Sequence, residues 1–289
     1  MASIFPLSAV SESQSPGRVL RIEPTKRFVV FNLREVWDYR ELLYFLTVRD
    51  VKVRYKQTLL GVAWAVIQPV VSMIIFSVIF GHLAGIQGEK GVPYPLFVFA
   101  GLLPWTYFAS SLSQGSFSVA GNAPLVTKVY FPRLILPLAS IVVPLIDFLM
   151  AFLVLVALFL GYGRTPHWHV VFLPFFLGMA LLIALGVSFW LSALNVRYRD
   201  VPYAVPFLTQ LWLYASPVIY PVTLVPARWH WLLALNPMTG VIDGFRWAVL
   251  GQGTLHVQVL AISASVGAAL LAGGLVYFKH VERRFADVM

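Results

Sequence analysis

Ala193-Leu-Asn-Val-Arg-Tyr-Arg-Asp-Val-Pro-Tyr-Ala-Val-Pro206 is a short charged turn between two long apolar stretches. No Asp, Glu, Lys or Arg occurs in 165–196 or in 201–227, so Arg197, Arg199 and Asp200 are isolated. A loop this short cannot fold as a domain. Its charges are there to be touched by something, on the cytoplasmic face of a membrane. The stretch predicts a polytopic membrane protein with docking points for a soluble partner.

Composition agrees. Of 289 residues, 59% are hydrophobic and only 11% charged, with a mean hydropathy of +0.80, far too apolar for a soluble fold. A helix needs about 20 apolar residues to cross ~30 Å of hydrocarbon. Segments 59–83, 95–119, 134–160, 168–194, 203–220 and 256–278 qualify. Pro206 and Pro217 make the fifth the weakest. The predicted fold class is an all-α membrane protein of six transmembrane helices, spanning 59–280.

The formal charge of +9 invites a nucleic-acid reading, but position argues against one. Every Lys and Arg except Lys90, Arg164, Arg228 and Arg246 precedes the first span or falls on an inner loop or the tail. The excess therefore reports orientation, with both termini cytoplasmic and no nucleic acid as partner. There is no cysteine, which excludes disulfide and thiol chemistry. Residues 1–33 lack an apolar h-region and read as a disordered cytoplasmic tail; 281–289 form a second tail.

Before the first span, 34–58 reads as an amphipathic helix lying along the inner leaflet. Arg49, Lys52 and Lys56 follow i, i+3, i+7 spacing and share one face. Leu42, Leu46 and Val53 cluster beside them, and Phe45 sits among the charges. The inner segment 121–132 is long enough for a short helix. The last outer connection, 216–253, is too long and apolar for a simple loop, and Pro217, Pro221, Pro226 and Pro237 break it. Asn236 before Pro237 is a helix-start signal. Two short helices, about 227–234 and 237–250, are expected to enter the outer leaflet without crossing. Broken structure at that depth survives only when it packs on protein or lines a cavity.

No glycine-rich loop ends in Gly-Lys-Ser or Gly-Lys-Thr, so ATP is not bound by that device. No spacing of His and acids suggests a metal; no cofactor is expected in this chain. Asp147 lies about midway along the third span. Intramembrane carboxylates default to function, here a proton-coupling site, against the plainer reading of a helix–helix hydrogen bond. Aromatics make up 15% of the chain. Trp64, Phe76, Trp105, Tyr107, Phe108, Trp212, Tyr214 and Tyr220 are either lipid-facing packing or a stacking surface for sugar rings.

Four blocks then carry a resemblance. They are Arg49-Asp-Val-Lys-Val-Arg-Tyr-Lys56 with Leu60-Gly-Val-Ala-Trp64 and Gln68-Pro69; Leu125-Val-Thr-Lys-Val-Tyr-Phe-Pro-Arg133 with Leu136-Pro137; Leu194-Asn-Val-Arg-Tyr-Arg-Asp-Val201 with Ser216-Pro-Val-Ile-Tyr-Pro221; and Asn236-Pro237 with Gly240 and Phe245-Arg246. In order and over nearly the whole chain after Arg34, they resemble the membrane subunit of bacterial polysaccharide exporters of the ABC transporter class, the permeases for O-antigen, capsule and teichoic acid.

The resemblance implies a homodimer with two copies of a separate ATP-binding cassette subunit, which carries ATP and Mg. The translocation path would follow the dimer interface in the cytoplasmic membrane. The substrate would be a polysaccharide on undecaprenyl pyrophosphate. By analogy, the N-terminal helix and the Lys128–Arg133 segment dock the ATPase, together with Arg197, Arg199 and Asp200. Pro217, Pro221, Asn236, Pro237, Asp243 and Arg246 would belong to an outer gate. Arg49, Lys52 and Lys56 could hold the pyrophosphate by charge-assisted bonds, or simply attract anionic lipid at ~1 kcal/mol each.

Three rivals stay open at this point: an exporter of drugs or small lipids from the same superfamily, a proton-coupled secondary transporter using Asp147, and a membrane-embedded transferase. The last needs an acid–base or nucleotide site that the sequence does not display.

Overall fold

The computed structural model describes residues 33–56, 61–89, 91–165, 167–283 and 285. The expected N-terminal tail, the first residues of the first span, and Lys90, Arg284 and 286–289 lie outside the described residues. No strand occurs among those described.

The chain runs through α1 (Leu33–Asp38) and α2 (Arg40–Lys56) into α3 (Gly61–Phe76), which continues as a π-helical turn, Ser77–Leu83. Next come α4 (Tyr94–Phe117), α5 (Ala123–Lys128), α6 (Ile135–Ser140) and α7 (Val142–Gly161). A 3₁₀ turn, Trp168–Phe172, leads into α8 (Leu173–Arg197), followed by α9 (Val201–Ala215). Last are α10 (His230–Ala234), α11 (Pro237–Leu250) and α12 (Val257–Glu282). Five stretches are long and apolar enough to cross a bilayer: Ala63–Leu83, Tyr94–Phe117, Ile135–Gly161, Trp168–Arg197 and Val257–Glu282.

α4 is the axis of the bundle. Every residue from Leu96 to Trp105 is buried, and α3, α7, α8, α9 and α11 all pack on it. α8 and α12 make the closest long pairing because glycines let their backbones approach. A Cβ at Gly186 would stand 2.7 Å from the Leu271 backbone. Small residues at such crossings stand in for the hydrophobic drive that lipid cannot supply. Trp190 closes the seam, donating its indole N–H to the Leu270 carbonyl (3.1 Å) and stacking on Tyr277.

The helix of the third span is interrupted at Ile141, between α6 and α7. Pro144 explains the interruption: its ring crowds the carbonyl four residues back, and it has no N–H to give that carbonyl.

The expected helix over 203–220 stops at Ala215. Ser216 is extended (φ −99°, ψ 147°), as the residue before a proline prefers. Fifteen residues at 1.5 Å each reach only about 22 Å. Even so, the chain covers the length of α4. Pro202 and Tyr203 share a pocket with Phe117 at one end of that helix, and at the other the Tyr94 hydroxyl donates to the Ile219 carbonyl (2.8 Å). The first part of this run is helical and the last part is irregular, a turn in which the Val218 N–H bonds the Ser216 carbonyl (2.7 Å).

The connection that follows matches expectation closely. A 3₁₀ turn, Ala227–Trp229, runs into α10, and α11 begins at Pro237. Asn236 caps α11, its Oδ1 accepting from the Met238 N–H (3.1 Å). Its Nδ2 donates to the Ser216 hydroxyl (2.7 Å), tying the cap to the broken end of α9. Gly251 ends α11 in the left-handed conformation (φ 66°), where a side chain would be strained.

α2 lies against α6 and α7. Leu46 is buried there, but Val53 is 67% exposed and does not join the Leu42–Leu46 cluster. It sits instead with Phe45, Arg49, Lys52 and Lys56, which line one surface groove.

Candidate translocation cleft

Between α3, α4, α7 and α9 lies a cleft of about 560 Å³, reached by Arg54 from α2. One side is polar. Thr106, Ser110 and Ser113 recur every three or four residues along α4 and so share a face, opposite Gln68 and Ser72 of α3. Thr106 spends its proton on the Leu103 carbonyl (3.0 Å), leaving oxygen lone pairs toward the cleft. Aromatic rings share these walls: Trp64 and Phe76 fall on the same α3 stripe as Gln68 and Ser72, and Trp105, Tyr107 and Phe148 complete the lining. Pro206, Thr209 and Leu213 of α9 close the remaining flank. Hydroxyl groups interleaved with aromatic rings suit a ligand with polar edges and apolar faces.

Of the aromatics picked out in the sequence, Trp64, Phe76, Trp105 and Tyr107 come together here. Phe108 does not line the cleft; it is wholly buried, edge-on to Trp212 at 5.1 Å. Trp212 instead borders a separate apolar cavity of about 420 Å³ with Leu112, Val187 and Leu191. Tyr214 is 50% exposed, and Tyr220 lies half-buried at the far end of the bundle.

Asp147 stands at the α2 end of the cleft with both oxygens engaged. Oδ2 lies 2.5 Å from Arg54 Nη2, and Oδ1 accepts from the Tyr55 hydroxyl at 2.5 Å. Burial, then the Asp147 bond and charge, push the Tyr55 phenol up, so it remains a proton donor. Sequence reading missed both partners, having found Asp147 alone in its span. A signal existed: Arg54 sits about 200° round α2 from Lys52, so it faces inward when the basic groove faces out. Arg49 has partners as well, bonding Asp50 (2.8 Å) and the Asn122 side chain (2.9 Å) ahead of α5.

The remaining charges separate into two ends. At the α2 end, Lys128, Arg197, Arg199 and Asp200 are exposed. Arg199 and Tyr203 share a pocket of about 290 Å³ with Phe117 and Ala120, joining the 198–203 turn to the end of α4. Tyr130 and Tyr203 stand 82% and 84% exposed on this surface. Arg133 is turned elsewhere: its guanidinium bonds the Glu282 carbonyl and lies over Phe285, and its N–H bonds Glu282 Oε1 (3.1 Å).

At the far end, Arg246 is 1% exposed, although the sequence counts it among the outer charges. Its guanidinium donates to the carbonyls of Phe97 (3.2 Å), Pro217 (2.5 Å), Val218 and Tyr220 (3.5 Å), and rests 3.8 Å from the Phe97 ring centre. One side chain thus satisfies the carbonyls that the broken 216–220 segment cannot pair by itself. Pro217, Pro221 and Pro237 are also buried. Asp243 bonds His256 (3.0 Å). The Glu89 carboxyl packs against Gly253, and its Oε2 has no hydrogen-bond partner among the described residues. Burial pushes that carboxyl up to about 7; Arg246 and His256 oppose the shift and Asp243 adds to it.

Among the described residues no cluster of His, Asp or Glu is arranged to hold a metal. The family described as ABC-2 type transporter matches residues 41–250. The chain is 32% identical over 259 residues to an O-antigen export system permease protein of Myxococcus xanthus, covering 88% of this chain and 98% of that one. A protein of the same description from Klebsiella pneumoniae is 32% identical over 260 residues, covering 90% and 98%. A polysialic acid transport protein of Escherichia coli is 24% identical over 210 residues, covering 71% and 80%.

Proposed function

The chain belongs to the ABC-2 type transporter family, and from that premise we propose that it is the membrane subunit of an ATP-driven exporter of lipid-linked polysaccharide. The observation that carries the reading is the cleft, a pocket lined by hydroxyls and aromatic rings inside an otherwise apolar bundle. Sugar rings offer apolar faces to Trp64 and Phe76 and hydroxyl edges to Ser110, Ser113 and Gln68, with the buried Trp105 and Tyr107 backing the wall. A sliding polymer needs many weak contacts of this kind, favourable enough to enter and weak enough to leave.

In this reading the α2 end faces the cytoplasm of a bacterial inner membrane, with both termini there. The 201–220 run makes the sixth crossing, and α10 and α11 form a re-entrant outer gate. Two copies of the chain pair, each with one ATP-binding subunit that supplies ATP, Mg and hydrolysis; this chain is not an enzyme. The ATPase docks on the exposed set Lys128, Arg197, Arg199 and Asp200. Arg133 supports that surface from behind by fixing the end of α12. Lys52 and Lys56, with Arg49, offer the basic groove of α2 to a lipid pyrophosphate.

The test is co-purification with the candidate ATPase, followed by hydrolysis assays with undecaprenyl-pyrophosphate-linked glycan. Stimulated hydrolysis is the expected result. A stable complex whose hydrolysis ignores the glycan, but responds to small lipids or drugs, would move the chain to another branch of its superfamily.

A further inference from the structure

We propose that Arg54, Tyr55 and Asp147 form a releasable clasp at the inner mouth of the cleft, operated through α2 by the 120–128 segment. The clasp stands on geometry; only the identity of what passes it rests on the exporter reading.

Two adjacent residues of one helix hold both oxygens of one carboxylate on another, so α2 and α7 cannot separate without breaking both bonds. The pair is not sealed in the core. The Arg54 and Asp147 side chains are 38% and 15% exposed, and both line the cleft. An ion pair at such a surface is weakly held compared with a buried one. Release would not strand either charge, because Gln68, Ser72 and Ser113 line the same space and can accept from a freed guanidinium.

Five residues earlier on the same helix, Arg49 bonds Asn122, directly ahead of α5 and Lys128. α2 therefore bonds the 120–128 segment at one point and Asp147 at another, about 7.5 Å further along its axis. A helix of 17 residues is stiff over that distance. Displacement of 120–128, as by a docked ATPase, is carried to the clasp as a rigid motion. Arg54, Tyr55 and Asp147 are thus positioning residues, setting the width of the mouth.

The chain has no cysteine, so a single Ser113→Cys change gives a unique reporter inside the cleft. The experiment measures its labelling by a membrane-impermeant maleimide in inverted vesicles holding the full complex. Asp147→Asn should speed labelling about threefold or more, and Tyr55→Phe less, as loss of one hydrogen bond allows. The charge exchange Arg54→Asp with Asp147→Arg should return the rate toward that of the parent. Asn122→Ala should keep the parent's resting rate but lose its change on adding ATP.

Parent-like labelling in both Asp147→Asn and Tyr55→Phe overturns the clasp. So does an Asn122→Ala complex that still responds fully to ATP. Should Asp147→Asn fail to assemble, Tyr55→Phe reads the same quantity with one oxygen removed. Labelling requires no glycan, so hydrolysis that ignores lipid-linked glycan defeats the exporter reading and leaves the clasp result intact.

Discussion

The two ends of the molecule each fix a charge inside an apolar bundle, and they do it differently. At the outer end Arg246 is held by four backbone carbonyls, from Phe97, Pro217, Val218 and Tyr220. At the inner end Asp147 is held by two side chains, Arg54 and Tyr55. Carbonyl groups cannot rotate away without moving the chain that bears them, so the outer arrangement behaves as a rivet. Side chains swing on their own rotors, so the inner arrangement can open while both helices stay intact. In the exporter reading proposed above, a rigid outer rim and a compliant inner mouth suit a conduit driven from the inside.

The sharpest break of this contrast is Arg246→Ala. It orphans the carbonyls of Pro217, Val218 and Tyr220, and each buried acceptor left unsatisfied costs about 1–3 kcal/mol. Monodisperse protein extracted in detergent should nearly disappear, with Arg246→Lys intermediate; parent-like melting of the Ala variant would refute the rivet. Asn236→Ala should cost about 1–2 kcal/mol, since the cap of α11 and the tie to Ser216 go together. It should lower the melting temperature without altering ATPase association.

Asp147→Asn should cost less, about 0.5–1.5 kcal/mol, because the amide still bonds Tyr55. Most export should persist; collapse of export with expression, dimerisation and ATPase coupling intact would revive a proton role. The smallest effect is a pH dependence at the outer end. The folded state holds Glu89 protonated up to about 7, against an ordinary value of 4.5. Its contribution is therefore full below about 4.5 and is lost as pH rises through about 7. The melting temperature should fall by about 2 °C between roughly pH 5 and 8, and Glu89→Gln should flatten that fall.

Much of the outer connection is legible in the chain itself. Asn236-Pro237 places the start of α11 to the residue, because a cap followed by a proline is local chemistry. The stretch expected as a sixth span is less so: 203–220 is apolar throughout, but Pro217 ends the helix at Ala215, and composition does not reveal how the chain covers the rest. Charges are hardest. Arg246 reads as an outer-loop charge because its acceptors are carbonyls, which every residue carries and no sequence marks. Asp147 reads as solitary because its partners sit on a helix judged by its basic face alone. The inward position of Arg54 follows from helical geometry once that helix is granted two charged faces.

The rivet also has an order of assembly. Residues 97, 217, 218 and 220 all precede 246, so the growing chain presents every acceptor before the donor is made. Until α11 emerges, the carbonyls of 217, 218 and 220 sit in a non-helical stretch without the guanidinium that satisfies them. A nascent chain stalled at about residue 230 should therefore keep its outer end unsettled and open to proteases or chaperones. Completion of α11 supplies the missing guanidinium in one step, making Arg246 a keystone in time as well as in space.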